Sequence, residues 1–170
     1  MREKYTFNFG TSKRILVKGE YETRGHIALK LTAYLFFSEI PEIEKRILRD
    51  YRYKPDLLIF GENTNGTWIE CGKVALRKIR KIRNDFKGMD IYVFKKNKAD
   101  ARALYDMLKR KGVKGAKVPG INIISFEEGF IEFISKGLRK VNQVTYKKYD
   151  KKIAVELNGE KLESKIFIQT

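Results

Sequence analysis

Residues 55–73 read Pro-Asp-Leu-Leu-Ile-Phe-Gly-Glu-Asn-Thr-Asn-Gly-Thr-Trp-Ile-Glu-Cys-Gly-Lys, and the basic segment 74–81, Val-Ala-Leu-Arg-Lys-Ile-Arg-Lys, follows. The runs Leu57–Phe60 and Thr67–Cys71 are short, apolar and rich in residues that favour strands. Residues 62–66 between them have the composition of a turn. This stretch predicts a β-hairpin that leads into a basic helix over Val74–Phe86.

The predicted hairpin carries two carboxylates, Asp56 and Glu70. If residues 62–66 form the loop, position 58 faces position 70, and Asp56 is a diagonal neighbour of Glu70 on the same face, roughly 7–8 Å away. A carboxylate in a strand that is buried on at least one side needs a partner, either a buried Arg or Lys or a divalent cation. Two acids this close favour the cation.

A phosphodiester hydrolase needs such a metal to activate water and a nearby cation to stabilise the developing negative charge. The residue two positions beyond Glu70, which shares its strand face, is Gly72. Lys73 points away unless a bulge at the glycine turns it. Otherwise the amine comes from the following helix, where Lys78 borders the buried face and Lys81 lies one turn further.

The charge of the chain is strongly positive. In 170 residues there are 37 Lys and Arg against 21 Asp and Glu, which gives a formal net charge of +16. Such a charge favours a polyanionic partner, and we expect DNA or RNA. The competing explanation is a lysine-rich surface that reflects solubility or a hot habitat, and the presence of only two glutamines leans towards a thermophile.

The basic residues that we expect to contact nucleic acid fall into two groups. The first group lies on the helix after the hairpin, and the second lies at the start of a basic linker. They are Arg77, Lys78, Arg80, Lys81 and Arg83, and then Lys109, Arg110, Lys111 and Lys114.

The single cysteine, Cys71, excludes an internal disulfide and fits a reducing, cytoplasmic setting. The charged N-terminal segment lacks the apolar run of a signal peptide. The best apolar segment, Ala28–Phe37, is short and contains Lys30, so we expect no membrane span. The oligomeric state stays open.

The remaining chain alternates between strand and helix patterns. Strands are predicted at 4–9, 13–18, Asp90–Phe94, Ile121–Phe126, 143–148, 152–157 and 161–168, and helices at 21–37, Ala99–Lys111 and from about Glu127 to Leu138. In the helix Ala99–Lys111 the inward residues are predicted to be Ala103, Leu104, Met107 and Leu108. The pattern predicts one α/β (α+β) domain with a mixed central sheet flanked by helices.

Glu22, His26 and Lys30 stand four residues apart on the first predicted helix and therefore share one face. For each of them an ordinary solvated row is the favoured interpretation. An isolated histidine on a helix is more often structural than a general base or a metal ligand.

Two sets of motifs resemble a known family. Pro55-Asp56, thirteen residues, and then Glu70-Cys71-Gly72-Lys73 resemble the Pro-Asp…(Asp/Glu)-x-Lys signature of restriction-endonuclease-like nucleases. Trp68-Ile69-Glu70-Cys71-Gly72 followed by a basic helix is similar to the YaeQ family within that superfamily. Glu22-Thr23 and the Leu-Lys-Leu of residues 29–31 also resemble that family, and the similarity extends along most of the chain.

The resemblance implies a restriction-endonuclease-like core with extra N- and C-terminal strands, and a Mg²⁺-dependent (or Mn²⁺-dependent) nuclease. Asp56, Glu70 and the main-chain carbonyl of Cys71 would bind the metal, with Glu22 as an auxiliary acid. Gly72 stands where the signature has lysine, so that lysine would have migrated to Lys78 or Lys81, unless Lys73 replaces it; Lys78 ranks first. Such folds also include inactive nucleic-acid-binding proteins.

Overall fold

Nine strands and four helices form in the part of the chain that the computed structural model describes, residues 2–37, 50–60, 66–110 and 120–170. In order they are β1 (Glu3–Phe9), β2 (Ser12–Lys18), α1 (Arg24–Phe36), β3 (Leu57–Phe60), β4 (Gly66–Cys71), α2 (Leu76–Asp85), β5 (Met89–Phe94), α3 (Lys98–Arg110), β6 (Ile121–Phe126), α4 (Phe130–Gly137), β7 (Val141–Lys148), β8 (Lys152–Leu157) and β9 (Glu160–Gln169).

The strands form one mixed sheet in the order β2-β1-β7-β8-β9-β6-β5-β4-β3. Strands β4, β5 and β6 run parallel to one another, and β1 is parallel to β7; the remaining neighbours are antiparallel. The predicted α/β class with a mixed sheet flanked by helices is therefore confirmed.

The two faces of the sheet carry different helices. Leu57 and Ile69 pack in one apolar cluster with residues of α1 and α4. Leu58 and Trp68 pack in a second cluster with residues of α2 and α3. This division follows from strand alternation, because successive side chains point to opposite faces. Buried strands thus supply an apolar residue to each cluster in turn.

The register of the central hairpin differs from the prediction by two residues. Leu58 pairs with Trp68 rather than with Glu70, and Gly66, predicted in the loop, pairs with Phe60 as part of β4. The rest of the predicted loop lies outside the described residues. Because the shift is an even number, the paired residues of the ladder keep their predicted faces. The pairing ends at Leu57–Ile69, so Asp56 lies outside the ladder.

Helix α3 is present, but its buried face was predicted partly wrongly. Leu104 and Leu108 are buried as expected, together with Ala101, whereas Ala103 and Met107 are exposed. Residues 101, 104 and 108 follow the spacing of one helix face, and 103 and 107 lie beside it.

No helix in the described ranges is both long and apolar enough to cross a bilayer.

Candidate functional site

Chemistry-bearing residues meet at one edge of the sheet, where β4 and β5 end and the antiparallel β3 begins. Asp56 is fixed there by the backbone of β4: its N–H donates to the Ile69 carbonyl at 2.9 Å, and its Oδ2 accepts from the Cys71 N–H at 2.7 Å. The carboxyl ends of parallel strands are a common place for ligands in α/β sheets.

The first turns of α1 and the segment before them bring three more ionisable side chains to Asp56. Thr23 caps the helix by accepting from the His26 N–H at 3.2 Å. His26 Nε2 lies 2.9 Å from Asp56 Oδ1 and 3.1 Å from Glu22 Oε1. The Lys30 amine lies 2.7 Å from that Glu22 oxygen and 3.2 Å from Asp56 Oδ1. The row predicted on α1 therefore converges on the hairpin acid.

Glu22, His26 and Asp56 could hold a metal ion, since one ligand atom from each lies within 4.8 Å of the others. We call these three residues the metal-capable group. Two carboxylates and an imidazole are a ligand set that divalent metals accept. The Lys30 ammonium contacts the carboxylates of both Glu22 and Asp56, which shows that the two acids together stabilise a positive charge between them.

Glu70 lies beside this group but belongs to a different set of contacts. Its side chain is only 5% exposed, and its Oε1 accepts from Trp68 Nε1 at 2.6 Å. The Lys78 amine lies 2.6 Å from the same oxygen and also donates to the Lys54 carbonyl at 2.9 Å. Asp56 therefore contacts α1 and Glu70 contacts α2, which pack on opposite faces of the sheet, and the prediction that the two carboxylates lie on one face is wrong.

Environment moves the pKa values of the two hairpin acids in opposite directions. Burial acts to raise the pKa of Asp56, but the hydrogen bond and charge of His26 and the charge of Lys30 outweigh it, and the pKa is lowered. Burial raises the pKa of Glu70, since Lys78 only partly opposes it and the Asp56 charge adds to it. Acids separated in this way suit different roles in proton transfer.

The structure brings together some of the predicted catalytic residues and separates others. Asp56 and Glu22 meet in the metal-capable group, and Lys78 reaches Glu70. Lys73 is exposed after Gly72. Lys81 forms an exposed ion pair with Asp85 at 3.0 Å.

Cys71 contributes its backbone N–H to Asp56. Its side chain is buried, and burial raises the pKa of the thiol well above the usual value, so a nucleophilic role is disfavoured.

The predicted nucleic-acid contacts form an exposed basic surface on α2. Arg77, Arg80 and Lys81 are exposed, and Lys78 and Arg83 are partly buried. Lys109 and Arg110 are exposed in the last turn of α3. Lys111 and Lys114 lie outside the described residues.

The sequence pattern favours an ordinary solvated row for His26 and Lys30, which is wrong, and it gives no role to Lys95. The i, i+4 spacing from Glu22 was the available signal for the first two, but nothing in the sequence showed that Asp56 would face them. Lys95 follows β5 and is buried, with its amine 2.6 Å from the Gly72 carbonyl. Burial lowers the pKa of this amine.

No protein-family model and no curated protein matches the chain. Two solved structures are similar over nearly their whole length. The YaeQ protein from Xanthomonas axonopodis pv. citri aligns with a TM-score of 0.73 at 12% identity, covering 99% of this chain and 97% of that one. The YaeQ protein from Pseudomonas syringae gives 0.72 at 16% identity, covering 99% and 95%. The resemblance predicted from the motifs is confirmed at the level of the fold.

Proposed function

We propose, from this YaeQ-like fold and the acids at its sheet edge, that the chain is a divalent-metal-dependent nuclease acting on DNA or RNA. The observation that carries the proposal is the position of Asp56, which belongs to the metal-capable group and lies near enough to the buried Glu70–Lys78 pair for its charge to act on Glu70. Acids next to a positioned lysine amine are the parts that phosphodiester hydrolysis requires.

Glu22, His26 and Asp56 would hold Mg²⁺ or Mn²⁺, and the imidazole favours Mn²⁺ over Mg²⁺. When bound, the metal neutralises phosphate charge and lowers the pKa of a water molecule. Glu70, with its raised pKa, accepts a proton from the attacking water. The Lys78 amine stabilises the negative charge that develops on the phosphate.

The test is metal-dependent cleavage of labelled DNA and RNA oligonucleotides, single-stranded and duplex. Asp56→Asn and Glu70→Gln should each lower the rate at least 100-fold while affinity for the oligonucleotide changes little. Calorimetry with Mn²⁺ should show lost metal binding for Asp56→Asn. The matched control is Asp150→Asn, which changes an exposed acid in the β7–β8 turn and should leave cleavage unchanged.

A second function, nucleic-acid binding without catalysis, is favoured by one observation. All three acids already have a cationic partner, since Lys30 contacts Glu22 and Asp56, and Lys78 contacts Glu70. The network is therefore electrically satisfied without a metal. Tight binding with no cleavage under any metal, and no calorimetric signal with Mn²⁺, would establish this function instead.

A further inference from the structure

A cleft lies beyond the carboxyl ends of β4 and β5, where Gly72 and Lys95 follow the two strands. It consists of two adjoining cavities of about 680 and 600 Å³, which share Leu29, Gly72, Lys73 and Lys96 in their walls. We call the two cavities together the lysine-rimmed cleft. Each alone is large enough for one nucleotide-sized ligand.

The cleft opens directly from the metal-capable group. Glu22 and His26 line the larger cavity. A Cβ atom added to Gly72 would lie 3.5 Å from His26 Nδ1, while Nε2 of the same ring faces Asp56. Glu22 and His26 therefore belong both to the metal-capable group and to the wall of the cleft, so a nucleic-acid strand bound in the cleft lies beside this group.

The smaller cavity has an apolar wall. It is formed by Val74 and Ala75 after β4, by the exposed Ala103 and Met107 of α3, and by the edge of the buried Leu104. Met107 is 43% exposed, so this wall faces open space rather than the protein core. An apolar surface beside solvent suits the flat face of a nucleobase.

Lysines border the same space. Lys73 is exposed, and it makes no ion pair within the described ranges. Lys96 is half-exposed and 3.6 Å from Glu132 Oε1, a surface pair that phosphate can displace. Lys95 forms part of the floor, where its amine holds the Gly72 carbonyl. Asp100 is the acid in the wall of the smaller cavity.

We propose that the lysine-rimmed cleft binds an unpaired nucleotide of a single-stranded nucleic acid, with the base against the α3 wall and its phosphates on Lys73 and Lys96. A base can enter such a cavity only after it leaves its stack and its pairing partner. Single strands, or duplexes with unpaired ends, are therefore the preferred substrates. This inference rests on the proposed function, because a nucleic-acid strand bound in the cleft would be positioned beside the metal-capable group.

The experiment measures affinity in EDTA, where no metal-dependent cleavage occurs. Fluorescent single-stranded DNA and RNA of about 15 nucleotides, the matching duplexes, and an abasic oligonucleotide of equal length are titrated with the full chain. We expect single strands to bind at least tenfold more tightly than duplex and abasic forms. The double variant Lys73→Glu/Lys96→Glu should lose at least tenfold in single-strand affinity, and Ala103→Leu, which fills the apolar wall, should lose the preference for intact over abasic strands.

Lys151→Glu is the matched control, since it reverses an exposed charge in the β7–β8 turn and should weaken binding no more than twofold. Thermal melts verify that every variant folds. Equal affinity for duplex and single strand, or equal losses for the cleft and control variants, would overturn the proposal. If single strands bind as expected but no cleavage is found, the proposed nuclease activity is wrong and the proposed binding in the cleft is supported. If cleavage occurs but does not change when Lys73 and Lys96 are replaced, the nuclease activity is supported and the proposed binding in the cleft is wrong.

Discussion

Gly72 lies two residues beyond Glu70, and its backbone conformation disfavours a side chain at this position. Its φ is +76°, a left-handed conformation that side chains other than glycine rarely adopt. Its N–H donates to the Phe94 carbonyl at 2.9 Å, which fixes the turn against β5. The turn sends Lys73 into the cleft, so the amine beside Glu70 comes from Lys78 on α2.

The Lys78 ammonium favours the charged form of Glu70, whereas burial favours the protonated, neutral form. The pKa of Glu70 is raised above its ordinary value of 4.5, so charging Glu70 costs stability as the pH rises through its folded pKa. Lys78→Met removes the opposing attraction. We expect it to lower the free energy of unfolding by about 3 kcal/mol at pH 7.5 and much less at pH 4, where Glu70 is protonated in both proteins.

Urea unfolding at the two pH values measures this effect. Lys81→Met is the control, because that amine pairs with Asp85 on the surface and should contribute little at either pH. A loss for Lys78→Met that is equal at both pH values would mean that packing, not charge, accounts for it.

Asp56 and Glu70 could be picked out from the sequence, but the strand face predicted to be shared by them is wrong, because Asp56 lies outside the ladder and contacts α1 whereas Glu70 contacts α2 on the opposite face. Lys78 could be ranked first because it borders the buried face of α2. The role of His26 could not be predicted, since it depends on the approach of α1 to the start of β3, residues 30 positions apart. Contacts of that kind come from tertiary packing, which local spacing does not encode.

At the scale of elements, strands and helices with strong alternation or amphipathicity were predicted within a few residues. The hairpin β1–β2 and the three C-terminal strands are examples. The face of α3 was harder, because Ala103 and Met107 are apolar residues that line a cleft rather than the core. Composition alone does not distinguish an apolar helix face that is buried in the core from one that borders an open cleft.

The corrected face of α3 gives a stability prediction. Leu108 is 2% exposed within the cluster beneath α2 and α3, whereas the neighbouring Met107 is 43% exposed. Leu108→Ala should therefore cost about 3 kcal/mol, from lost burial and a cavity. Met107→Ala should cost less than about 1 kcal/mol.

Chemical denaturation of Leu108→Ala and Met107→Ala measures the free energy of unfolding of each variant and shows which of the two residues lies on the buried face of α3. Equal losses for both would restore the original prediction that Met107 points inward.

At the scale of the whole molecule, the charge of +16 predicts how binding responds to salt. Each phosphate neutralised on a single strand lowers the slope of log affinity against log salt by about 0.7. If the exposed side of α2 also contacts phosphates, Arg77→Gln/Arg80→Gln should make the slope shallower by about 1.4. This slope is measured by fluorescence titrations of a labelled single strand over an approximately sixfold range of salt, from about 50 to about 300 mM.

Lys151→Gln serves as the control for the salt titration and should leave the slope unchanged. A slope in the α2 variant equal to that of the unchanged protein would remove this helix from the binding surface and leave the cleft as the main contact.

The pairing of β1 with β7 has a consequence for how the chain folds. Thr6 lies beside Val141 and Phe7 beside Asn142, so strands more than 130 residues apart are direct neighbours in the sheet. Contacts this distant in sequence slow folding, because a long loop must close before they form. During synthesis the hairpin β1–β2 is made before β7, and the two can pair only after β7 has left the ribosome. Until then, the edge of β1 that pairs with β7 keeps its N–H and C=O groups unpaired, and such an edge can pair with another chain.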